Sequence, residues 1–312
     1  MKLVFCGTPQ FAVPTLEALA SAGHEIQLVV TQPDRPSGRG RQLSAPAVKQ
    51  VAGKLGLPIA QPQTLKNNPE FQEQLKGLAP EAIVVVAYGR IIPPWMLSLP
   101  DLGNFNVHAS LLPKLRGAAP VQWAIASGET STGVTIMRLD EGLDTGPILL
   151  QRRTPITNDD TALTLAPRLA ELGAHLMLQA VPQIAAKTLE AVPQDHSQAT
   201  LAPLLRKEDG LINFSCTAEE IHNRLRGFQP WPGVYTRFRG RQLELIAARP
   251  AHVSSGEGPA SGSLLRRGNQ LFLICARSTL LEILALQPAG KQRITAQQFM
   301  SGYHPENGEA LA

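Results

Sequence analysis

The chain opens with short apolar runs separated by polar, turn-forming residues. Lys2–Cys6 (KLVFC) reads as a buried strand. Gly7-Thr8-Pro9 turns it into Phe11–Ala20, whose apolar residues recur at helical spacing. Glu25–Thr31 (EIQLVVT) predicts a second strand. A strand–helix–strand start of this kind predicts a parallel sheet with right-handed crossovers. The pattern then repeats, with a helix over Ser44–Leu55, a short strand over Leu57–Ala60 and a helix over Asn67–Leu75. Ser44 is the expected N-cap of the first of these helices, and Pro46 falls in its first turn. Glu81–Ala87 (EAIVVVA) is almost uninterrupted in its apolar character, as a central strand covered on both faces should be. Asn104–His108 predicts another strand, and Pro120–Ala126 a short helix. Thr132–Leu139 and Pro147–Gln151 flank so short a loop that they predict an antiparallel hairpin at the sheet's edge. Asp159-Asp160-Thr161 opens a long helix to about Lys187, with acids well placed at its positive end.

The rhythm changes after that helix. Residues 189–206 include Pro193, Gln194, Ser197, Gln198 and Pro203 and read as a linker. Beyond it come a helix over Thr217–Arg226 and a rigid turn, Phe228–Gly233 (FQPWPG). Short strands follow at Val234–Phe238, Gln242–Ala248, Gly262–Arg266, Leu271–Ala276 and Leu280–Leu286. Short strands at this spacing suggest a small barrel of the OB type. The expected architecture is therefore α/β: a mostly parallel sheet domain over 1–188, then a smaller OB-like β-barrel domain over 207–312.

Composition narrows the class. The 312 residues are 43% hydrophobic and 5% aromatic, enough for a core built of Leu, Ile, Val and Ala. No run of about 18 uncharged apolar residues exists, so no membrane span is expected. The first residues meet Gly7 and Pro9 too early for a secretory signal. Cys6, Cys216 and Cys275 are odd in number, far apart and outside any metal spacing, which predicts reduced thiols, a cytoplasmic protein and no metal. Nothing in the pattern demands more than a monomer. Gly7-Thr-Pro-Gln-Phe-Ala departs from the Gly-rich dinucleotide fingerprint, which argues against a nicotinamide enzyme. Residues 1–200 are balanced in charge, and residues 201–312 carry 13 Lys and Arg against 9 Asp and Glu. The surplus invites a nucleic-acid partner. Gln32–Leu43 is rich in Gly and Pro and holds Arg35, Arg39 and Arg41. It reads as an exposed loop, either a solvated connection or a basic finger suited to phosphates.

Candidate chemistry centres on residues 104–118. Side chains alternate along a strand, so Asn106 and His108 share a face and Val107 points oppositely. The acidic loop Leu139–Pro147 follows the next strand and can bring Asp144 beside the imidazole. An amide, an imidazole and a carboxylate meeting at strand ends suit acyl transfer. The loop Tyr88–Pro93 should line the same crevice, outside the end of a central strand.

The run NVHASLLPKLRGAAP with LDEGLDTGP downstream resembles the 10-formyltetrahydrofolate-dependent formyltransferases. TQPDRPSGRGR, VVVAYGRIIP, FQPWPG and LQPAGK extend the resemblance over essentially the whole chain, to members whose acceptor is the methionyl amine of initiator tRNA. It implies a Rossmann-like first domain and an OB-like, tRNA-binding second one. It implies Asn106, His108 and Asp144 as catalytic residues, with no metal. Asn106 and His108 would donate hydrogen bonds to the reacting oxygen, and Asp144 would hold the imidazole. It implies a folate co-substrate, 10-formyltetrahydrofolate, at Ser110, Leu111, Leu112 and Pro113. The pterin would lie at Arg90, Ile91 and Ile92 and at the loop from Asp140 to Leu143. Arg39 and its neighbours Arg35 and Arg41 would meet the tRNA. His108 is followed by Ala109 where Gly is common in the family, and Gln10 stands where an acid is common; neither change removes a functional group. Transfer to a purine ribonucleotide or amino-sugar nucleotide, hydrolysis of formyl-folate, and non-catalytic RNA binding stay open as alternatives.

Overall fold

A computed structural model describes residues 1–37, 42–251 and 260–312. The chain divides into two compact units, each discontinuous in sequence. The first contains residues 1–120, 131–155 and 165–203, and the second 121–130, 156–164 and 204–312.

The first unit is built on a seven-stranded sheet. Its strands are β1 (Lys2–Gly7), β2 (Glu25–Val30), β5 (Ile59–Ala60), β6 (Ala82–Val86), β7 (Asn104–His108), β8 (Ser131–Arg138) and β9 (Ile148–Pro155). They lie in the order β5-β2-β1-β6-β7-β8-β9. The first five are parallel and the last two run antiparallel, so the predicted edge hairpin is present. All five residues of β6 are buried, as its apolar run requires. The chain leaves β1 towards β2 on one side and returns through β6 on the other, which makes the β1/β6 boundary a topological switch point.

Helices α1 (Val13–Ser21), α2 (Ala47–Lys54), α3 (Pro69–Leu78) and α4 (Pro94–Leu97) connect these strands. Ser44 does not cap α2. It belongs to β4 (Gln42–Ser44), which pairs antiparallel with β3 (Arg35–Ser37), and Pro46 occupies the cap position without a side-chain bond. The basic loop thus has hairpin flanks that its Gly/Pro composition hides. Helix α5 (Pro120–Ala126) falls almost wholly within the second unit. Helix α6 (Ala162–Ala185) lies against the sheet at Gly173, where an added Cβ would stand 2.6 Å from a Val107 methyl. Val107 therefore faces α6, and Asn106 and His108 face the other way.

Residues 189–203 are not a free linker. Val192 exchanges backbone hydrogen bonds with Ile148 (2.8 and 2.9 Å), and Arg116 does so with the strand-like run Thr200–Ala202 (2.9 and 2.7 Å). This stretch has no apolar period to betray its attachment, which is made by backbone and by polar side chains.

The second unit carries an antiparallel sheet ordered β10-β11-β14-β13-β12, with β15 also paired to β14. Its strands are β10 (Val234–Phe238), β11 (Arg241–Ala251), β12 (Leu264–Arg267), β13 (Gln270–Ile274), β14 (Leu280–Pro288) and β15 (Ile294–Thr295). Besides α5 it holds α7 (Ala218–Gly227) and the unforeseen α8 (Ala296–Tyr303). Thr217 and Thr295 each close a capping box at their starts. No helix among the described residues is long and apolar enough to cross a membrane.

Candidate active site

β7 delivers two polar side chains to one face. His108 is 5% exposed and Asn106 9%. His108 Nε2 lies 2.9 Å from the Leu115 carbonyl, which can only accept, so this nitrogen carries a hydrogen. The other ring nitrogen, Nδ1, faces Asp144 Oδ2 at 3.7 Å. That oxygen also accepts a hydrogen bond from the Gly117 amide at 2.8 Å. Among the described residues nothing takes up the side-chain amide of Asn106, which leaves it free to donate. The three candidate residues therefore sit on one face of one unit. His108 Nε2 is thus engaged by the Leu115 carbonyl, whereas the Asn106 amide has no partner among the described residues.

Asp144 arrives by a route that the sequence does not suggest. β8 is antiparallel to β7, with Arg138 opposite Phe105, so the loop after β8 departs from the far end of β7. It reaches His108 by doubling back along the sheet face rather than by starting at the same strand end. Two features permit this. Gly146 packs against the Arg138 carbonyl with no room for a Cβ, and Asp144 adopts a left-handed backbone (φ 52°).

The residues expected to meet folate lie on loops of the same unit. Ser110 is fully buried and its hydroxyl donates to the Lys114 carbonyl (2.6 Å), so its side chain closes the turn rather than facing a ligand. Thr135 and Gln151 brace that turn. The Leu112 amide donates to Thr135 Oγ1 (3.1 Å), Thr135 donates to the Ser110 carbonyl (2.6 Å), and Gln151 donates to the Leu112 carbonyl (2.8 Å). Leu111 and Pro113 remain half-buried beside it. Arg90 is turned away to the carbonyls of Pro62 and Gln63 (3.0 and 2.7 Å). Ile92 is buried, and Ile91 and Leu143 are 85% and 62% exposed. Ile91 and Leu143 are thus exposed aliphatic side chains on the loops that follow β6 and β8. Asp140 accepts from the Gly142 amide (3.0 Å) and the Thr145 hydroxyl (2.7 Å), which shapes the loop carrying Leu143. Among the described residues no three His, Cys, Asp or Glu side chains are grouped to hold a metal ion.

A second feature lies at the switch point, where a hollow of about 450 Å³ is lined by Thr8, Gln32, Arg35, Ser44 and the Ala87–Gly89 backbone, among others. Sequence reasoning singled out Arg35 but not Thr8 or Gln32; the switch-point rule is the signal that could have found them. Buried Gln32 ties the hollow together. Its amide nitrogen donates to the carbonyls of Tyr88 and Gly89 (3.0 and 3.1 Å), and its oxygen accepts from Arg35 (2.7 Å). Asp34 beside it accepts from Gln61 and Lys49, bonds that hold its carboxyl below the usual range. Burial pushes the Tyr88 phenol up to about 12. Arg39 and Arg41 lie outside the described residues.

The formyl transferase family model matches residues 1–181, and the formyl transferase C-terminal domain model matches residues 204–304. The chain belongs to the formyl transferase family. Its full-length relatives stand among the methionyl-tRNA formyltransferases: it is 54% identical to the one from Koribacter versatilis, over 100% of this chain and 98% of that protein. It is 55% identical to the one from Acidobacterium capsulatum, over 97% and 96%. In fold it is similar to WlaRD, a sugar 3N-formyl transferase solved with dTDP and 5-N-formyl-THF. The TM-score is 0.68 at 20% identity, covering 94% of this chain and 99% of that one.

Proposed function

We propose that the protein transfers the formyl group of 10-formyltetrahydrofolate to the α-amino group of methionyl on initiator tRNA. The observation that carries the reading is the grouping of Asn106, His108 and Asp144 on one face, in a chain that aligns end to end with methionyl-tRNA formyltransferases.

The reaction forms a bond from the amine to the formyl carbon, breaks the carbon's bond to folate nitrogen, and moves one proton from the first nitrogen to the second. The Asn106 amide donates to the formyl oxygen as it gains charge, an interaction of about 3 kcal/mol, or roughly 10²–10³ in rate. The acceptor amine has an unperturbed pKa of about 8, so a useful fraction is neutral and ready to attack. Asp144, half-buried beside His108, takes the proton that the amine sheds and returns it to the leaving nitrogen, with the imidazole holding the carboxylate in place. When Nδ1 is protonated, the ring has an acceptor at each end, Asp144 at one and the Leu115 carbonyl at the other.

Ile91, Leu143 and the braced Ser110–Pro113 turn support a folate at this face. The hollow at the switch point, next to the basic β3–β4 hairpin, supports an acceptor that enters from that side.

The test is incubation of the protein with 10-formyltetrahydrofolate and methionyl initiator tRNA, scored for formylmethionine against free methionine and an amino-sugar nucleotide. Formylation of the tRNA alone is expected. Asn106→Ala should lower kcat by about 10²–10³ with folate affinity unchanged. Near-normal turnover in that variant would overturn the assignment of the oxyanion donor.

A further inference from the structure

The segment 189–203 is fastened to both halves of the His108–Asp144 pair. On one side, Thr200 Oγ1 accepts from the Leu115 amide at 2.9 Å, and Leu115 offers the carbonyl that His108 Nε2 meets. On the other side stands Gln194, 6% exposed, with the bonding capacity of its amide in use. Its nitrogen donates to the carbonyls of Asp144 (2.9 Å) and Gly146 (2.7 Å). Its oxygen accepts from Arg116 Nε and Nη2 at 3.1 and 2.6 Å. Arg116 is itself 7% exposed, has His196 Nδ1 as a further neighbour at 3.2 Å, and is held by its backbone to Thr200 and Ala202.

We infer that Gln194 is a positioning residue: braced by Arg116, it clamps the Asp144–Gly146 backbone so that the Asp144 carboxylate faces His108. The inference rests on the reading that Asp144 acts in formyl transfer. Asp144 has a left-handed backbone, a conformation that a non-glycine residue keeps only where its surroundings impose it. The loop carrying it starts from the wrong end of β7 and has no strand to hold its tip. The two Gln194 bonds fall on the carbonyl of Asp144 and on that of the residue two further on. A primary amide suits the task because it donates twice to backbone while accepting twice from a guanidinium. Neither Glu nor Leu can do both.

The test uses the full-length protein and single-turnover formylation of methionyl-tRNA, with Gln194→Ala and Gln194→Glu made in the native and Asp144→Asn backgrounds. Misplacement of a reacting group by about 1 Å costs on the order of 100-fold. Gln194→Ala is expected to lower the rate about 10- to 100-fold with KM for both substrates within about twofold, and to add less than about twofold once Asp144 is Asn. Gln194→Glu keeps an acceptor for Arg116 but has no hydrogen for the two carbonyls, and should lose as much as the Ala variant. If Gln194→Glu retains native turnover, Gln194 serves Arg116 alone and the inference falls. If the Ala loss persists in full beside Asp144→Asn, the effect is general and the inference falls equally. Should Ala fail to fold, the Glu variant decides. Native turnover in Asp144→Asn alone would instead overturn the underlying reading, which separates the two failures.

Discussion

Gly146 and the three cysteines show what single atoms decide in this protein. An added methyl at Gly146 meets the Arg138 carbonyl, a backbone atom that cannot swing aside. Gly146→Ala should therefore shift the Asp144 loop and lower kcat by about 10-fold or more, with thermal stability also reduced; steady-state kinetics beside a melting curve checks both. The cysteines respond to burial in a different way. Burial pushes the Cys6 thiol far up from its ordinary range and the Cys275 thiol up to about 12, and the thiolate is the reactive form. Half-buried Cys216 should be alkylated first in the native protein, with Cys6 and Cys275 labelled only on unfolding. Mass spectrometry after a timed iodoacetamide pulse measures the order, and early labelling of Cys6 would contradict it.

Among the elements, the β8–β9 hairpin and α7 show what local pattern settles. The β-branched Thr and Val residues of Thr132–Leu139 predicted a strand, and the short loop predicted its antiparallel partner; both are present. The path of the loop between them was not legible, because it depends on which end of β7 Arg138 pairs with. α7 has its start written in sequence: Thr217 Oγ1 accepts from the Glu220 amide (3.3 Å), and Glu220 accepts from the Thr217 amide (2.7 Å). Thr217→Ala should cost about 1 kcal/mol in chemical denaturation of the protein. On the same helix, burial lowers the His222 pKa below its ordinary 6.5, with Arg226 adding to the effect. The fold thus favours the neutral ring, and the unfolded chain binds a proton first as pH falls. Stability should decline as pH drops through about 6.5 towards the lower folded value, and His222→Gln should flatten that part of the profile.

At the scale of the whole molecule, the charge surplus of residues 201–312 bears on the tRNA partner. Neutralising even two phosphates makes binding about 10-fold weaker between 50 and 200 mM salt. KM for methionyl-tRNA should rise by at least that factor over this range, with KM for folate changing less. A salt-independent tRNA KM would remove the electrostatic role of this region. The sequence by itself determined most strands of both units, though not β3, β4 or β15, the sharing of a face by Asn106 and His108, and the family, because side-chain period and motif are properties of neighbouring residues. Only the tertiary structure decided that the Asp144 loop doubles back along the sheet and that Leu115 holds His108 Nε2. It alone also decided that the polar stretch 189–203 is fastened to the catalytic unit. Most of those contacts have a distant backbone carbonyl or amide as one partner, a group that almost every residue carries alike, so residue type leaves little trace of them.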